Sequence, residues 1–92
     1  MIESAAYELI KKEGFEEGLK QGLQQGLQQG LLEEAREMVL EALEERFGLI
    51  PPSLVSRIKS IQQREILKSL HRAAIRANNL EEFKMLLKKL DE

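Results

Sequence analysis

Glycine returns every fourth residue in the first third of the chain, at Gly14, Gly18, Gly22, Gly26 and Gly30, and four of the five precede a leucine. A glycine inside a helix costs roughly 1 kcal/mol relative to alanine, so the run weakens a helix by about 4–5 kcal/mol. The residues around it nevertheless favour helix: Leu, Gln, Glu and Lys, with no proline and no β-branched residue between Phe15 and Arg36. A segment that is helix-forming apart from a regular bare stripe points to a second helix approaching its backbone. Self-association is therefore the first expectation, and it depends on the segment being helical and on a neighbour covering the stripe.

The remaining composition restricts the class. Ninety-two residues make one small domain, or one long element with a small domain attached. Two prolines and four aromatic residues among many Leu, Glu, Lys and Ala place the chain in the all-α class. With no cysteine, disulfides and thiolate metal sites are excluded, and a cytoplasmic setting is expected. The longest uncharged stretch, Gln21 to Leu32, holds five Gln and three Gly and is too short to span a bilayer. Charge is unevenly divided. Residues 1–48 carry five Lys/Arg against eleven Asp/Glu, a balance of −6, and residues 49–92 carry nine against five, a balance of +4, which together give the chain its −2. Halves of opposite sign attract, within one chain or between chains.

Periodicity predicts one nearly continuous helix from Ile2 to Phe47, which at about 1.5 Å per residue reaches roughly 70 Å. Its opening turns carry an apolar stripe at Ile2, Ala5, Ala6, Leu9 and Ile10. A second stripe runs through Leu31, Leu32, Ala35, Met38, Val39, Ala42, Leu43 and Phe47, with Glu33, Glu34, Glu37, Glu41, Glu44 and Glu45 facing water. Gly48 is placed to end the helix in the left-handed conformation, and Pro51 and Pro52 enforce the break. A short helix comes next over Ser53–Ile61, with Leu54, Val55, Ile58 and Ile61 on one side. A third spans about Gln62–Ala77 with Ile66, Leu67, Leu70, Ala73, Ala74 and Ala77 inward, opened by a capping box between Ser60 and Gln63. Asn79 and Glu82 repeat that spacing and open a last helix, Leu80–Leu90, with Leu80, Phe83, Leu86, Leu87 and Leu90 inward. Two regions are expected: a long oligomerisation helix over 1–48 and a small helical C-terminal domain over 49–92. The latter is near the size below which a domain rarely folds alone, so it is expected to pack on the Leu32–Phe47 stripe, in the same chain or a partner.

Glycines four apart lie on one helix ridge, and removing their side chains turns the ridge into a groove flanked by Leu19, Leu23, Leu27 and Leu31. Four residues advance a helix by about 400°, so the stripe drifts about 40° per repeat and about 160° over its length. One straight partner then meets two or three glycines at a crossing of about −40° to −50°, or several helices surround the segment. A homodimer or a dimer of dimers is expected.

Other candidates carry less chemistry. Arg64, Lys68, Arg72 and Arg76 form a basic edge on the third helix beside His71, a surface that nucleic-acid phosphates fit. No aromatic residue interleaves it, and ion pairs with the glutamates of the first helix are the stronger expectation. His71 is the only histidine, and the only aspartate is Asp91, so no metal set or nucleophile triad assembles around it. His71 is expected at a helix boundary position. The glutamate run has the spacing of any solvated helix face. Tyr7, Phe15 and Met85 are expected to pack, and no cofactor site is expected.

At the tetrads and at Arg46-Phe47-Gly48-Leu49-Ile50-Pro51-Pro52, the chain resembles the C-terminal region of the Rpn-type, transposase-related proteins of bacteria, recombination-promoting nucleases of the PD-(D/E)XK class. The likeness continues through Arg57-Ile58, the Leu67–Leu70 pair, Ala73-Ala74 and Leu80-Glu81-Glu82-Phe83, from about Gly14 to Leu90. In that family the nuclease uses an Asp and a D/E-x-K pair on a β-sheet core that binds Mg²⁺. This chain has no such core and no strand-like segment, and its one Asp, Asp91, lies at its extreme end, so none of those catalytic residues carries over. The resemblance implies a non-catalytic tail region, a fragment or a separately encoded piece, with a nuclease domain as a partner in a parent chain. The glycine run is also similar to that of the flagellar export ATPase regulator, whose G-x-x-x-G helices dimerise, although the residues after Gly30 do not resemble that protein's C-terminal domain.

Overall fold

A computed structural model describes the backbone of residues 2–91 and the side chains of residues 11–90. Among the described residues the protein is all-α, with no strand. Four helices succeed one another: α1 (Ile2–Phe47), α2 (Pro52–Lys59), α3 (Arg64–Arg76) and α4 (Leu80–Asp91). The long helix thus has the bounds its sequence predicts, glycines included. The side chains of Ile2, Ala5, Ala6, Tyr7, Leu9 and Ile10 lie outside those described.

Packing divides the chain into two units, Met1–Gly30 and Leu31–Glu92. The division falls inside α1, between Gly30 and Leu31, and not at the 48/49 boundary read from sequence. Its cause is the apolar stripe beyond the glycines. Val39 and Leu43 of α1 are wholly buried in the same core as Leu54 and Ile58 of α2, Leu67, Leu70 and Ala74 of α3, and Phe83 and Leu87 of α4. The second half of α1 is therefore a wall of the C-terminal unit. Ile50, Ile61 and Ala77, all between helices, complete this core, so the connections are apolar and tightly placed.

The helix ends obey local chemistry. Gly48 has φ 76°, the left-handed conformation glycine adopts without a Cβ penalty, and its N–H donates to the Glu44 carbonyl at 2.9 Å. Pro51 is extended (φ −59°, ψ 138°), as a residue preceding proline must be. Pro52 then opens α2, one residue earlier than the sequence predicts, because the first helical position needs no N–H. The Asn79–Glu82 cap forms as expected: the Glu82 N–H donates to Asn79 Oδ1 at 2.8 Å, and Asn78 Nδ2 donates to Glu82 Oε2 at 3.2 Å.

The Ser60–Gln63 box does not form. Ser60 Oγ donates back to the Arg57 carbonyl at 2.7 Å, and Gln63 caps α3 without a side-chain bond. Ser60 is the C-cap of α2 in the αR conformation (φ −84°, ψ −12°), not the extended one an N-cap adopts, and its N–H and hydroxyl both donate to the Arg57 carbonyl. Consequently α2 stops at Lys59 and α3 starts at Arg64, and both helices are shorter than expected.

Several expected core positions face water. Met38, Met85 and Leu90 are exposed, as is Phe15 in the N-terminal unit. Ile66, Ala73 and Leu80 are only partly buried against the core, and Leu86 is also half-buried. The periodic pattern marks the correct face in each helix, but the buried arc is narrower than the apolar arc.

Two arginines of α1 fasten the unit. Arg36 donates from Nε and Nη2 to the Ile61 carbonyl at 3.0 and 2.6 Å. Arg46 donates from Nη1 to the Ala74 carbonyl at 2.8 Å and also to the Ala77 carbonyl. The last carbonyls of α3 have no intrahelical donor, and they sit at the negative end of its dipole. A guanidinium there satisfies both groups and complements that charge. The same guanidinium lies 4.9 Å from the Phe47 ring centroid, over its face.

Candidate interaction surfaces

The first surface is the glycine stripe. Gly14, Gly18, Gly22, Gly26 and Gly30 are all helical, and a Cβ placed on any of them would meet nothing within 4 Å. Every residue from Lys11 to Gly30 is exposed. The stripe of this unit faces solvent.

The flanking leucines behave in two ways. Leu19, Leu23 and Leu27 are 56%, 68% and 66% exposed, and Phe15, on the same ridge at the same four-residue spacing, is 70% exposed. Leu31 is half-buried and lines a hollow with Glu34, Ala35, Met38, Arg64 and Lys68. It belongs to the C-terminal unit and is withdrawn from the leucine ridge. The apolar ridge available to a partner is Phe15–Leu19–Leu23–Leu27, with glycine preceding each member.

The second surface is the basic edge of α3. Arg64, Lys68, Arg72 and Arg76 are exposed, as their four-residue spacing predicts. The expected ion pairs with α1 are absent among the described residues. Lys68 pairs instead with Glu65, one turn away on its own helix, at 3.6 Å, and Lys84 of α4 pairs with Glu81 at 3.3 Å. Both are exposed pairs worth about 0–1 kcal/mol. Glu34 of α1 lines the same hollow as Arg64 and Lys68 without pairing with either, and Glu33, Glu37, Glu41 and Glu44 are exposed.

Besides the hollow at Leu31, two more border the basic edge. One lies between α1 and α3, lined by Ala35, Met38, Lys68, His71 and Arg72, with a volume of about 150 Å³. His71 is half-buried there, the boundary position expected of it. The other lies between α3 and α4 and is larger, about 400 Å³. Ala73, Leu86 and Leu90 are its apolar lining, and Ser69, Arg72, Arg76 and Lys89 are its polar rim. Its lining contains no carboxylate. Lys89 and Leu90 as members of this groove were not legible in the sequence; the antiparallel return of α4 against α3 brings them beside Arg72 and Arg76.

Among the described residues, no group of three or more His, Cys, Asp or Glu side chains converges as a metal site. No helix of the described residues is long and apolar enough to cross a membrane. Comparison of the chain with protein-family models, curated proteins and solved structures gives no match.

Proposed function

We propose that this chain is a non-catalytic, cytoplasmic self-association region that assembles as a homodimer or homotetramer through close helix packing along Gly14–Gly30. One observation carries the reading: a continuous helix that leaves both its glycine groove and four large apolar side chains in solvent. Each glycine costs roughly 1 kcal/mol of helix propensity, and each exposed leucine forgoes up to about 1.5–3 kcal/mol of burial. A second helix seated in the groove offsets both. It meets bare backbone on one side and buries the Phe15–Leu27 ridge on the other.

The repeat also sets the handedness. A period of four residues exceeds the 3.6 of the α-helix, so partners that track the stripe wind right-handedly. A drift of about 40° for each rise of about 6 Å gives a pitch of roughly 54 Å, far tighter than the roughly 150 Å of a heptad coiled coil. That pitch corresponds to the steep, right-handed crossing of G-x-x-x-G pairs.

The resemblance to the tail of Rpn-type, transposase-related nucleases supports placing this region as an accessory, oligomerising part of such a protein. There it would bring two nuclease domains together without contributing to their chemistry. Light scattering on the full chain at micromolar concentration tests the proposal. A mass two or four times that of the protomer is expected, reduced to the protomer mass by Gly22→Leu with Gly26→Leu. A monomeric wild-type chain, or an assembly indifferent to those leucines, overturns it.

A further inference from the structure

Residues 1–48 and 49–92 carry opposite net charge, yet the ion pairs Lys68–Glu65 and Lys84–Glu81 both lie within the second set. Arg72, Arg76 and Lys89 stand around the α3–α4 groove and make no ion pair with any described residue. On α1, Glu33, Glu37, Glu41 and Glu44 are exposed and likewise make none. We propose that the basic α3–α4 groove of one copy receives the acidic face of α1 from a second copy.

Spacing, chemistry and shape all fit. Glu37 and Glu41 are one turn apart on α1, and Arg72 and Arg76 are one turn apart on α3, so both pairs repeat at about 6 Å along their axes. Two helices laid side by side can then match both charges in one register. The groove has an apolar lining, Ala73, Leu86 and Leu90, and Leu90 is 38% exposed. The acidic arc supplies an apolar counterpart. Leu40, partly buried against the protomer's own core, borders the arc beside Glu37 and Glu44 and lines a hollow of about 260 Å³ with Glu33, Glu37, Arg36 and Lys59. Side-chain stems of glutamate and arginine cover such surfaces while their charged ends pair.

A nucleic-acid strand suits the groove less well. Its lining offers no aromatic side chain for a base to stack on, and its floor is apolar where phosphates would lie. Both surfaces lie within Leu31–Glu92, so a two-fold pair makes the contact twice. The inference rests on self-association but not on the glycine contact.

A charge swap tests it with the full chain. Arg72→Glu with Arg76→Glu makes one variant, and Glu37→Arg with Glu41→Arg makes the other. Each alone sets like charges against each other at both contacts, whereas a mixed pair restores both, one of them with its signs exchanged. Native mass spectrometry of an equimolar mixture at low salt should show mixed pairs outnumbering like pairs about tenfold. The preference should fall toward parity at about 1 M salt, where screening acts over roughly 3 Å. Parity at low salt with pairs still intact overturns this inference and leaves the glycine contact standing. Absence of any pair, in wild type and mixture alike, overturns both. Retardation of a labelled DNA duplex that is lost with Arg72→Glu and Arg76→Glu, together with parity in the mixture, reassigns the basic edge to phosphates.

Discussion

The two units use the same structural element to opposite ends. In Leu31–Glu92, apolar residues three and four apart on α1 meet three further helices, and nine of its side chains are fully excluded from water. Over residues 11–30 the same helix carries apolar residues strictly four apart, and none is covered. The i, i+3, i+4 alternation averages near 3.6 residues and keeps a stripe on one side, which a compact core needs. An unbroken four-residue repeat cannot stay on one side, so it cannot seat a globular core. It can only track a winding partner. Period, more than hydrophobicity, separates the region that builds a core from the region whose apolar side chains stay exposed.

The sharpest way to break this contrast is to delete matching apolar mass in each region. Phe83 is completely buried in the core of the C-terminal unit. Phe83→Ala should cost about 3–5 kcal/mol, a large share of the stability of a unit this small, and urea denaturation monitored by circular dichroism reads it directly. Phe15→Ala removes the same ring from a side chain already 70% exposed. Under monomeric conditions it should change stability by no more than about 0.5 kcal/mol. Comparable losses at the two positions would show that the N-terminal stripe is packed within the protomer.

Next in size is the clamp that ties α1 into the second unit. Arg46→Ala removes the donor to the Ala74 and Ala77 carbonyls and strands the partly buried end of α3. Loss of a charged donor to such groups should cost about 1.5–3 kcal/mol. Hydrogen exchange localises the effect: protection should fall first in the last turn of α3, with α2 retaining its own. A uniform loss across α2–α4 would mean that the arginine acts through packing and not through those carbonyls.

How far these features could be read beforehand depends on the kind of interaction behind each one. The bounds of α1, the turn at Gly48 and the Asn79–Glu82 cap rest on backbone conformation or on residues three apart, so sequence alone specifies them. The failure of the Ser60–Gln63 box shows the limit of spacing, because Ser60 closes α2 in the αR conformation and an N-cap needs an extended one. Met38 and Leu90 lie at the margins of apolar stripes, and periodicity fixes the centre of a stripe but not its width. Arg36 and Arg46 were invisible as fasteners because their partners are backbone carbonyls, which every residue carries. The α3–α4 groove was hidden for a related reason: Lys89 joins Arg72 and Arg76 only through the return of the chain. The glycine stripe was the most conspicuous feature of the sequence, and the structure shows it helical and exposed.

The smallest effect is the most discriminating. Gly22 is helical, has no positive φ, and has open space where a Cβ would stand. Gly22→Ala therefore introduces no strain within the protomer and should stabilise the helix by about 1 kcal/mol through propensity alone. Circular dichroism at a concentration low enough to keep the chain monomeric should register that gain as added helicity. In the assembly the same methyl group would stand where another backbone must approach, so association should weaken even as the isolated helix strengthens. A chain that gained helicity and associated as well as before would retain no use for a bare position there, and the contrast between the two regions would reduce to one of exposure.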